Sequence, residues 1–147
     1  MKQILLFIIT LFSLTINAQN TYTELTEKAI KIAQSQDSIN YKTAIDIFKK
    51  AFKKYPDSIN GTGYYYASIL AANLKQKDLA FKYLTTLAKM ETDEDGFPGW
   101  SFVLDDYAKE DYKNLLNDKR WNILKTNALT DKKEFFEKLN AFEKEFF

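Results

Sequence analysis

The sequence predicts an all-α protein, and three observations predict it. Apolar residues return every three to four positions through most of the chain, the spacing that gathers them on one side of a helix. Beyond the first eighteen residues no long run alternates apolar with polar, so no half-buried strand is expected. The phrase Asp-Ser-Ile-Asn stands at 37–40 and again at 57–60, each time just ahead of an apolar-periodic run. Asp, Ser and Asn side chains accept hydrogen bonds from the unpaired amides of a helix start, so each copy is expected to mark a corner between helices.

The opening of the 147-residue chain stands apart. Lys2 gives a short basic start, Ile4 to Ile16 is an apolar run, and Asn17-Ala18 leads into Gln19. This is the layout of a secretory signal peptide over residues 1–18, with cleavage expected between Ala18 and Gln19. The apolar run falls short of the roughly 20 residues that a spanning helix needs, so the mature protein is expected to be exported, to the periplasm or cell surface, without spanning a membrane. Cleavage removes one lysine and no acid, which leaves acids and bases equal in number. That balance argues against nucleic acid as the principal partner, because a polyanion demands a concentrated positive surface. Cysteine and histidine are both absent. Disulfides, most zinc sites and every Ser-His nucleophile are thereby excluded, and neither a metal nor a cofactor is expected.

The helices follow in order. Tyr22, Leu25, Ala29, Ile32 and Ala33 give the first one-sided stripe. Tyr41, Ala44, Ile45, Phe48, Ala51, Phe52 and Tyr55 give a clearer second, with Lys49, Lys50, Lys53 and Lys54 opposite and Pro56 as its stop. A third helix, about Gly61 to Gln76, is apolar nearly all round, as expected of a helix with neighbours on several sides. The fourth, Asp78 to Met90, turns Ala80, Tyr83, Leu84, Leu87 and Ala88 inward. Acids, glycines and a proline then make a loop. Its Asp93, Glu94 and Asp95 lack the alternating ligands and closing glutamate of a calcium loop, so a solvated turn is the reading. Beyond it the sequence predicts a short helix from Trp100 to Ala108, two short helices meeting near Asp118, and a last helix from Asp131 to Phe147. The last one carries Phe135, Leu139, Phe142 and Phe146 in a heptad-like stripe.

At Ala44 the spacing becomes specific. Ala44, Phe48, Ala51 and Pro56 follow Ala-x3-Phe-x2-Ala-x4-Pro, which resembles the second helix of a tetratricopeptide repeat. Ala80 and Leu84 repeat the pattern at a period slightly longer than the family's roughly 34 residues. Ser68 stands at the small crossing position of the preceding helix and Tyr64 at its large aromatic position. The second copy departs from the pattern, with Thr92 in place of the closing proline. Further on, Asp111, Tyr112, Leu115, Asp118, Arg120, Trp121 and Leu124 resemble the element that ends many tetratricopeptide-type domains in exported Bacteroidetes proteins. The resemblance implies a short right-handed α-solenoid. It would have two helix hairpins over 19–92, a loop over 93–99 and a helical cap over 100–147 that belongs to the same domain, with Trp121 as plug and Asp118 as helix cap. It also implies a groove side carrying Tyr65, Ile69 and Asn73. Asp-Ser before an aliphatic residue resembles the O-glycosylation signal of such exported proteins, which makes Ser38 and Ser58 candidate acceptors.

The functional expectation is a non-catalytic interaction module that binds another protein, as an extended or helical segment, through Tyr65, Ile69 and Asn73 or through Phe142 and Phe146. An alternative is a toxin-neutralising or inhibitor protein that uses the same helical surface. A third reading, a small hydrolase, would draw on Asp105, Asp106, Glu110 and Asp111 as paired carboxylates. Acids at that density are ordinary on solvated helix ends.

Overall fold

The computed structural model describes residues 21–35, 37–90 and 96–146, with the side chains of 107 and 141–146 set aside. The expected signal peptide, its cleavage site at Ala18 and Gln19, and residues 91–95, with Thr92 and the acids Asp93, Glu94 and Asp95, lie outside the described residues. Among the described residues every regular element is helical and none is a strand. The chain divides into two compact units between Ile59 and Asn60.

The first unit holds helix α1 over 21–33, helix α2 from Ser38 to Lys54, and a single 3-10 turn from Pro56 to Ser58. The predicted stripe is what α2 buries: Ala44, Ile45, Phe48 and Ala51. Its Phe52 stacks on Tyr22 of α1 at 6.4 Å between ring centroids and leans on Phe48 at 5.8 Å. Asp37 starts α2, its Oδ1 accepting the amides of Ile39 and Asn40 at 2.9 and 2.8 Å. The second Asp-Ser-Ile-Asn corner works differently. Pro56 opens a 3-10 turn that takes up Asp57 and Ser58, so the cap of the next helix falls to Asn60, whose Oδ1 accepts the Gly63 amide at 2.9 Å. The same four letters make two corners, one capped by Asp and the other by Asn.

In the second unit, α3 from Gly61 to Asn73 and α4 from Lys77 to Ala88 form a hairpin. The small residues Ala67, Ser68, Ala71 and Ala72 of α3 are buried, as are Ala80, Tyr83, Leu84, Leu87 and Ala88 of α4. The turn between them is a Schellman cap: the Gln76 amide reaches the Ala71 carbonyl at 2.9 Å and the Lys75 amide that of Ala72 at 3.0 Å. Such a cap sets its middle residue in the left-handed region, and Lys75 sits there at φ 59° without being glycine.

The Gly99 amide reaches the Met90 carbonyl at 3.0 Å and brings the chain back against the end of α4. The approach is so close that a Cβ on Gly99 would run into the Leu87 carbonyl oxygen, which is why glycine stands there. The predicted single helix from Trp100 to Ala108 is two short pieces, α5 from Ser101 to Leu104 and α6 from Tyr107 to Asp111. Turns over 112–118 follow. The last two predicted helices are one: α7 runs from Lys119 to Phe146, 28 residues or about 42 Å. Thr130-Asp131 reads as a helix start in sequence. No glycine or proline interrupts the run, however, and the Thr126 and Thr130 hydroxyls bond back to the Asn122 and Thr126 carbonyls within the helix.

Candidate functional site

The C-terminal segment docks on the α3–α4 hairpin through side chains that come in sequence order. At the end of α6, the Asp111 carboxylate accepts the Tyr65 hydroxyl at 2.6 Å, while the Tyr65 ring lies against Phe102 at 5.2 Å. Tyr112 is fully buried, its hydroxyl 2.8 Å from that of Ser68. Ser68 spends its one proton on the Tyr65 carbonyl at 2.7 Å, so Tyr112 is the donor in this pair. Leu115 is fully buried, and Trp121 packs against Tyr112 at 5.7 Å between centroids.

Asp118 and Arg120 tie the start of α7 to the start of α4. Asp118 accepts Arg120 Nε at 2.9 Å, Nη2 at 3.0 Å and the Arg120 amide at 3.2 Å, so it caps the helix and grips the guanidinium at once. Arg120 Nη1 reaches Asp78 at 2.6 Å, and its guanidinium lies over the Phe81 ring at 4.3 Å. Lys77 adds a second cation 3.6 Å from Asp118. The bonds from the Arg120 side chain and amide hold the Asp118 carboxyl well below the usual carboxylate range, and Asp118 and Asp78 in turn raise Arg120. A shallow open depression of about 460 Å³ lies beside this clamp, lined by Lys75, Gln76, Lys77, Asp78, Leu79 and Arg120.

All but one of the repeat-signature positions are interior. Ala44, Phe48, Ala51, Ser68, Ala80 and Leu84 are fully buried, Trp121 is buried, and Pro56 stands exposed at the start of its turn. Of the groove residues, Tyr65 is committed to Asp111 and Phe102, while Ile69 and Asn73 are half-buried. The backbone of α7 passes through Phe142 and Phe146, whose side chains lie outside the described residues. The part of their stripe that precedes them is described. α7 buries Trp121, Leu124 and Ala128; the same line then continues through Phe135, half-buried against Trp100 at 6.1 Å, to Leu139, which is 42% exposed. Phe136 at 45% and Leu129 at 53% flank it. Lys132 covers the Trp100 ring at 5.1 Å, and the Trp100 Nε1 is buried with no hydrogen-bond partner among the described residues.

The acidic residues weighed for a hydrolase lie along the segment of α5 and α6. Asp105, Asp106 and Glu110 are exposed, and Asp111 is held by Tyr65. Asp106 lies 2.7 Å from Lys109, whose hydrogen bond and charge lower its pKa, the opposite of what a general acid needs. Among the described residues no three Asp or Glu side chains gather as metal ligands would. Ser38 is exposed at the first position of α2 and Ser58 half-buried in the 3-10 turn, so a hydroxyl of the first corner faces solvent.

Two features escaped the sequence reading. The Arg120–Asp78 contact joins residues 42 positions apart, and nothing in either neighbourhood names the other. The Ser68–Tyr112 bond joins positions read only as a small crossing residue and a motif aromatic. No helix among the described residues is long and apolar enough to cross a membrane. No protein-family model, curated protein or solved structure matches the chain.

Proposed function

We propose that the mature chain is a non-catalytic, exported helical-repeat protein of tetratricopeptide type that binds another protein. The observation that carries this reading is the course of the α7 stripe. Its first part is buried, whereas Phe136, which leans on Trp100, and Leu139 farther along are only partly covered, with Leu129 exposed beside them. Large apolar side chains grouped on one exposed helix face are more often a contact surface than a solvated one. A partner helix laid along this face would cover Leu139 and Phe136, with Phe142 and Phe146 continuing the same sequence stripe. The hairpin of α3 and α4, with small residues where the helices meet, supports the repeat reading, as does the capping of that hairpin by the segment from Asp111 to Leu124.

The test is a mature chain carrying a photo-cross-linking side chain at position 136 or, as control, at the exposed position 49, expressed in its native cells. The reading predicts one discrete protein adduct from position 136 and none from position 49. Equal patterns from both positions would sink it. Intact mass of the same purified material bears on export: a chain beginning at Gln19 is expected, and one that retains Met1 would contradict it. Added mass lost on Ser38→Ala would assign modification of that hydroxyl, and an unmodified mass would exclude it.

A further inference from the structure

We draw no further inference here: the strongest candidate, the apolar stripe that the second half of α7 carries past Ala128 through Phe135, Phe136 and Leu139, belongs to the surface already proposed for partner binding, and nothing in the structure shows what covers it.

Discussion

Two backbone positions in the second unit carry opposite demands on a side chain. Lys75 holds a left-handed conformation that a Cβ disfavours by roughly 1–2 kcal/mol. Lys75→Gly is therefore expected to raise stability by about 0.5–1 kcal/mol in denaturant titration, less than the strain relieved because glycine also loosens the unfolded chain. No change, or a loss, would show that the lysine stem contributes packing that outweighs the strain. Gly99 has no such freedom. Gly99→Ala drives a methyl into the carbonyls of Leu87 and Met90 and is expected to cost about 1–3 kcal/mol, read as a lower midpoint with an unchanged slope. The sequence hid both for the same reason. A lysine between Leu74 and Gln76 reads as an ordinary solvated residue, and a glycine after proline reads as a turn. The cap geometry at one and the close carbonyls at the other exist only once α4 is in place.

At the scale of elements, periodicity located α2 and α4 to within a few residues, because a buried stripe at helical spacing is a local property, while α3 was legible from its nearly continuous apolar run. Boundaries that depend on distant partners were less legible. Asp118 lowers the free energy of the α4–α7 junction only while it is charged. Its folded pKa lies below the unfolded value of about 3.9, so the contribution is complete above that value and fades as pH falls beneath it. Asp118→Asn is expected to lower the melting temperature by the same amount across neutral pH, with the gap to the parent narrowing only in strong acid. A gap that changes between pH 6 and 8 would contradict the assignment. The α3–α4 contact has the converse behaviour at high pH. Burial raises Tyr64, and burial together with Tyr64 raises Tyr83, the two rings lying 6.0 Å apart. Both groups favour the folded state while protonated, so their contribution is complete below about pH 10 and is lost as pH climbs through the raised values. Paired Tyr64→Phe and Tyr83→Phe substitution should flatten the alkaline limb of the stability profile. An unchanged limb would remove these rings from it.

For the whole molecule, the all-helical class follows from one absence in the sequence and one presence: no long alternating run, and a helical period nearly throughout. The division at Ile59 and Asn60 does not follow, since the second corner reads like the first. What closes the second unit on itself is a set of pairs 42 to 46 residues apart, Asp78 with Arg120, Ser68 with Tyr112 and Tyr65 with Asp111. Such pairs carry no local signal. The candidate surface was legible as a heptad-like stripe, but its division into a covered and an open part was not, because Phe135 and Leu139 look alike until Trp100 takes its place against Phe135.

The most direct measurement is capture from native cells by the tagged chain and by its Phe136→Glu, Leu139→Glu double variant, with the thermal melt of each recorded alongside. Phe136 and Leu139 are partly exposed and Phe136 also leans on Trp100 at 6.3 Å between ring centroids, so the variant is expected to melt a little lower, and capture is run where both chains remain folded. The parent is expected to retain a discrete partner and the variant to lose it. Equal retention of the same partner by both folded chains would contradict it.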